Sequence, residues 1–310
     1  MMRLRLVFVA LLLFVNLVVI APRPVDTIWA CDCDEAAYWR IADGHSAAAP
    51  FAWRVLYPTL VRLIPLERET AFAVAMYASL MGCGVLLYKL LRRYGFTPDW
   101  ALIGVALAST LPHFAPYLAW NVYLVDGFAM LFVLLAIYAA KTRNGVLFMA
   151  ALTFGIMAKE AVLFTALLWW TLASAPSRRG FLQTCLLTMP ALVVLALLRA
   201  VIPATSTYSY PELVPIVLQR RLDVIVPLTE YAPFGVLLPL AVFGRSDTLK
   251  RYAPFIALIY LQLLFATDTG RLLVMAFPPL VIAALEGLTR LVKRTMTTFD
   301  TIRHTGNYHG

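Results

Sequence analysis

The stretch GVLFMAALTFGIMAKEAVLFTALLWWTLASA, residues 145 to 175, decides how the chain is laid out, and it carries charge only at Lys159 and Glu160. Read as one helix, it would place an ammonium and a carboxylate near the middle of a hydrocarbon layer that about 20 residues suffice to cross. Read as two arms, residues 145–158 and 161–175, it is a hairpin with both charges at its tip. At 1.5 Å per residue each arm reaches about 21 Å, so the tip lies below the outer membrane surface. The hairpin avoids the buried pair of charges and is the reading the sequence favours.

Composition makes this a membrane question. The chain has 310 residues, of which 62% are hydrophobic and 14% charged, with a mean hydropathy of +0.80; a soluble domain carries about 25% charged residues. The net charge is +9, but the 26 Lys and Arg fall in small groups between apolar runs. That is the pattern that orients membrane spans, not a nucleic-acid-binding stripe, so no nucleic-acid partner is expected.

Apolar runs place spans near residues 5–21, 71–91, 100–118, 124–140, 145–158, 161–175, 181–201, 226–244, 252–266 and 272–292. The basic groups at Arg3 and Arg5, Lys89 to Arg93, Lys141 and Arg143, Arg178 and Arg179, Arg245 to Arg251, and Arg290 to Arg294 then share one side. A single helix over 145–175 would turn the last three groups outward. The expectation is an all-α, polytopic integral membrane protein with about ten transmembrane helices and both termini cytoplasmic. Residues 1–294 form one domain with a long outward first loop, 22–70, and residues 295–310 a short, loose cytoplasmic tail. The first segment has the basic and apolar regions of a signal peptide, but Pro22 follows Ala21 and no A-x-A-like site occurs, so it reads as a retained span.

This topology sends every Asp and Glu except Asp99, Asp247, Glu286 and Asp300 to the outward side. In the first loop, CDCDEAAYW concentrates Asp32, Asp34 and Glu35, and Asp34, Tyr38 and Ile41 share a helical face. One acid suffices to cap that helix; three leave a carboxylate for chemistry. Further along, PFAWRVLYP sets Arg54 among aromatic residues, as a snorkelling side chain or as a fork for a phosphate. Arg40 and Arg62 read as the snorkelling kind. Lys159 and Glu160 are either a structural pair or cavity-facing groups. Asn121 and Asp126 in AWNVYLVDGF, and Asp268 and Arg271 in TDTGRLL, lie at the outer ends of other spans, where both aspartates are also candidate helix caps. His113 reads as a packing residue. Cys31 and Cys33 suit a thiol pair in an oxidising compartment, and no His or Cys cluster accompanies them for zinc. Trp29, Trp39, Trp53 and Tyr57 suit interfacial anchoring or sugar stacking.

The order of a first span, an acidic loop of the form D-x-x-x-Y-x-x-I-A (Asp34, Tyr38, Ile41, Ala42) and then P-F-x-x-R-x-L-x-P (Pro50, Phe51, Arg54, Leu56, Pro58) resembles the GT-C superfamily of membrane glycosyltransferases. Lys159 with Glu160, and the Asp268 to Arg271 segment, are similar to recurrent features of bacterial members. The resemblance implies a multi-pass protein of a bacterial inner membrane with an outward active site. It further implies a polyprenyl-phosphate sugar as donor and a first-loop acid as base: Asp34, with Asp32 and Glu35 beside it. The large C-terminal periplasmic domain of protein-modifying members is missing, which points to a glycan, lipid or small acceptor. Arg54, Arg271 and Lys159 would hold the donor phosphate, with Tyr38, Glu160, Asp126, Asn121 and Asp268 in support. Asp32 and Asp34 are the ligands if a divalent cation such as Mg or Mn takes part. The competing expectation is a membrane transporter or a flippase for a lipid-linked sugar, although no repeated halves are visible.

Overall fold

The structure, a computed structural model, describes residues 22, 24, 26–29, 33–111, 113–173, 177–206, 215, 217–219, 237–243, 247–262 and 269–306. Among the described residues every regular element is helical. The first loop contributes α1 (Asp34–Ala42), a 3-10 turn (Phe51–Trp53) and α2 (Leu56–Leu63). There follow α3 (Arg68–Arg93), α4 (Pro98–Ser109), α5 (Ala115–Trp120), α6 (Asp126–Thr142) and α7 (Gly145–Ala158). A 3-10 segment (Glu160–Leu167) and a helical turn (Leu168–Thr171) lead to α8 (Arg178–Val201). After these come α9 (Leu237–Phe243), α10 (Asp247–Leu261), α11 (Thr269–Leu273), a 3-10 turn (Val274–Ala276) and α12 (Phe277–Gly306). Three helices, Arg68–Arg93, Arg178–Val201 and Gly270–Lys293, are long and apolar enough to cross a membrane. Pro98–Ser109, Gly145–Ala158 and Glu160–Thr171 are apolar but shorter.

Over residues 145–173 the stretch is a hairpin. Its first arm stops at Ala158 and Lys159 is extended, with φ −162° and ψ 131°. A Cβ on Gly155 would lie 2.5 Å from Val162 Cγ1, so the two arms touch where only glycine leaves room. Farther from the tip, the rings of Phe148 and Trp169 are 5.2 Å apart. Arg143, just before the first arm, stacks on the Trp169 ring at 4.4 Å and donates to the Trp169 carbonyl. Contacts at 155 with 162 and at 148 with 169 are those of an antiparallel pair.

Elsewhere the elements depart from the apolar runs. The span read at 100–118 is two helices, α4 and α5, because Pro116 in the first turn of α5 has no N–H to continue a helix, and Pro112 in the sequence disfavours helical geometry at Leu111. The return arm of the hairpin is 3-10 over Glu160–Leu167 rather than α. The final run is divided into α11, a 3-10 turn and α12. That last helix continues to Gly306, past Thr295 where the sequence suggests a loose tail; no Gly or Pro falls between Thr295 and Gly306. The expected span at 5–21, most of that at 226–244, Asp32 and Asp268 lie outside the described residues.

At the centre stands α6, packed against α3 on one side and α7 on the other, with Met130, Val133, Leu134 and Ile137 fully buried. In a bilayer such packing rests on close van der Waals fit more than on escape from water. By contrast α8 lies at the periphery, with Leu186 and Val201 exposed, as lipid-facing residues are. The first loop is tied down in its middle, at residues 47–57. Tyr57 Oη donates to the Val122 carbonyl at 2.7 Å, just after α5. Ala49 N donates to the Ser206 carbonyl at 2.9 Å and Thr205 N to the Ala47 carbonyl at 3.0 Å, beyond α8. Trp53 donates to the Ile202 carbonyl at 3.3 Å and carries the Arg199 guanidinium 4.9 Å from its ring. These contacts hold the first loop beside the N-terminal end of α6 and the C-terminal end of α8.

Candidate active site

Six charged side chains from five separate segments meet under α1. Asp34, in the first turn of α1, accepts from Arg271 Nη1 at 2.7 Å. The other edge of the Arg271 fork, Nη2 and Nε, donates to Asp126 Oδ2 at 2.8 and 3.3 Å. Asp126, the first residue of α6, receives Lys159 Nζ on its second oxygen at 2.5 Å. Next to Lys159 in the chain, Glu160 accepts from Arg54 Nε at 2.9 Å. Arg54 Nη1 donates to Tyr38 Oη at 2.8 Å, which returns the chain of contacts to α1, where Tyr38 lies one turn after Asp34. Among the described residues three cations face three carboxylates. That balance is what a weakly hydrated interior requires, since an unpaired ion there costs several kcal/mol.

The arrangement distinguishes the roles that the sequence leaves open. Asp34 is not the N-cap of α1; that position is Cys33, with no side-chain cap bond, and the Asp34 carboxylate is given to Arg271. Asp126 likewise follows the N-cap Val125 and spends both oxygens on cations. Lys159 and Glu160 are not a pair with each other: each takes a partner from a distant segment. Arg54 does not snorkel, because its side chain is 12% exposed, its Nε and Nη1 donate to Glu160 and Tyr38, and it lies over the Phe51 ring. Arg40 and Arg62 are exposed and outside the network. Glu35 is buried on α1, and Asn121 is buried at the end of α5.

Within the network, exposure is graded. The Asp126 side chain is 1% exposed and Lys159 5%, whereas Asp34 is 30% and Glu160 21% exposed. Asp126 is therefore the structural hub, and Asp34 and Glu160 are the acids at its open edge. Two acceptor atoms lack a donor: Glu160 Oε1 and Asn121 Oδ1 are buried without a hydrogen-bond partner. Burial raises the Tyr38 hydroxyl well above the ordinary phenol range, with Arg54 opposing and Asp34 adding to the shift, so Tyr38 stays protonated. Burial opposes the Arg54 charge, but Glu160 and Tyr38 outweigh it and hold the guanidinium above its ordinary value.

Asp32, one of the two acids expected to hold a divalent cation, lies outside the described residues. No three His, Cys, Asp or Glu come together among them, and Asp126 has both oxygens on cationic partners. Sequence reasoning gave no weight to one contact. The His113 ring lies against the backbone before Arg271, where a Cβ on Gly270 would come within 2.6 Å of it. The glycine lets α11 approach, and only its position beside Arg271 in the sequence hinted at this. No family model matches this chain, and no curated protein or solved structure matches it either.

Proposed function

We propose that this chain is a membrane glycosyltransferase that moves a sugar from a polyprenyl-phosphate donor to a glycan, lipid or small acceptor at the outer face of a bacterial inner membrane. The supporting observation is the joining of Asp34, Arg54, Lys159 and Arg271, four residues singled out by charge and motif, into one network under the first loop. A topology of about ten spans with cytoplasmic termini puts that network on the outward side. A disulfide at Cys33, beside Asp34, fits an oxidising compartment there.

The chemistry asks little of the protein at the leaving group. When the bond from the anomeric carbon to the phosphate oxygen breaks, the electron pair stays on a phosphate that is stable as an anion, so fixed positive charge is sufficient. Arg271 and Arg54, paired with the two acids at the open edge, are the cations to supply it. Because Asp34 occupies Arg271 Nη1 before substrate arrives, a donor phosphate that takes that position frees the carboxylate. Asp34 then accepts the proton of the acceptor hydroxyl as its oxygen bonds to the anomeric carbon, and passes the proton to water. Attack opposite the leaving group inverts the anomeric centre. Glu160 Oε1 and Asn121 Oδ1 are acceptors waiting for donors, which a polyhydroxylated ligand has in number.

Asp34→Asn tests the assignment. It keeps the shape of the side chain and removes the base, so donor binding should persist while transfer falls by about 10² to 10⁴-fold. Full transfer by this variant would remove Asp34 from the role.

A further inference from the structure

We infer that the helix ends farthest from the carboxylate network form a second binding site, one that takes the phosphate of an anionic lipid headgroup at the opposite membrane face. Along α6, Lys141 is fifteen residues from Asp126, about 22 Å at the helical rise. Its ammonium sits 4.0 Å from the centroid of the Tyr94 ring, at the end of α3. Tyr94 Oη and Tyr252 Oη of α10 are 2.7 Å apart. Beside them Thr248 Oγ1 donates to Glu286 of α12 at 2.7 Å. Four helices thus converge on one polar cluster, and Arg251 and Glu286 are the charged groups acting on both Lys141 and Tyr94.

What the cluster lacks is a second carboxylate: among the described residues two cations, Lys141 and Arg251, act beside Glu286 alone. Among the described residues neither Lys141 nor Arg251 has a carboxylate at ion-pair distance, and the nearby Asp247 is given to Lys250. A half-buried ammonium held on an aromatic face, with an exposed guanidinium near it, is a pre-positioned pair of donors for a phosphodiester. Holding Lys141 in place beforehand lowers the ordering cost of binding. A basic pocket between helix ends at the membrane surface suits a lipid phosphate. Soluble phosphate shares the chemistry but lacks the acyl chains. The site is independent of the transferase reading.

Native mass spectrometry of the purified full chain in neutral detergent tests this, with phosphatidylglycerol, phosphatidylcholine or inorganic phosphate as the probe. Phosphatidylglycerol should be retained over phosphatidylcholine, and Lys141→Ala and Arg251→Ala should each weaken its retention about fivefold. Lys141→Arg should restore it, and Arg178→Ala with Arg179→Ala, a basic pair outside the cluster, should leave it unchanged. Thermal midpoints alongside separate lost binding from lost folding, and Arg251→Ala, at an exposed position, keeps the test open if Lys141→Ala fails to fold. Equal loss in the control pair, or no preference for the anionic lipid, overturns the site. Retention of inorganic phosphate as strong as that of phosphatidylglycerol overturns the lipid as its ligand.

Discussion

At the scale of single residues, Asp126 holds the site together. It is the common partner of Lys159 and Arg271 and is almost wholly buried. Asp126→Ala leaves two buried cations without their shared counter-ion and should cost about 3–5 kcal/mol, read as a lowered thermal midpoint in detergent. Arg54→Lys should be as damaging to activity as a full deletion, since an ammonium cannot hold Glu160 and Tyr38 in the fixed geometry of a guanidinium fork. The accompanying stability loss should be small, because Glu160 keeps a cation. Transfer at the wild-type rate by Arg54→Lys would contradict that reading. Part of this site was legible in the sequence: helical spacing puts Asp34 and Tyr38 on one face. The pairing of Arg271 with Asp126 and Asp34 was not, because the partners are 145 and 237 residues apart and no local pattern encodes a contact at that range. For the same reason the adjacent Lys159 and Glu160 invited pairing with each other, whereas the fold gives each a distant partner.

Among the elements, the hairpin carries the most weight, because its tip delivers both Lys159 and Glu160. A side chain at Gly155 meets Val162 Cγ1 at 2.5 Å and Phe132 Cβ at 3.0 Å. Gly155→Ala should therefore force the arms apart, destabilise the protein by about 1–3 kcal/mol and lower activity with it; an unchanged thermal midpoint would mean that the arms are not so tightly paired. The hairpin was readable from the sequence because one charged dipeptide interrupts a long apolar run. The break between α4 and α5 was missed because hydropathy is blind to backbone geometry, and prolines within an apolar window do not lower its mean. The 3-10 winding of the return arm has no sequence signal that we can name.

For the whole molecule, the hairpin fixes which way everything after it faces. Ten spans put Lys250 on the same side as Lys141 and opposite His45; a single helix over 145–175 would put Lys250 with His45. Both positions are exposed. In a background with Cys185 replaced by Ser, a membrane-impermeant maleimide applied to intact cells should label His45→Cys and should reach Lys250→Cys only after lysis. Labelling of Lys250→Cys in intact cells would overturn the topology, and with it the outward placement of Arg271. The proposed transfer rests on the network that three acids and three cations form among the described residues, gathered from five segments. The measurement closest to that claim is release of free polyprenyl phosphate from a panel of polyprenyl-phosphate sugars by the purified protein with membrane-lipid extract. The account predicts release from at least one donor by the wild type and release slowed by about 10² to 10⁴-fold in Asp34→Asn. No release with any donor, from protein shown to be folded, would contradict it.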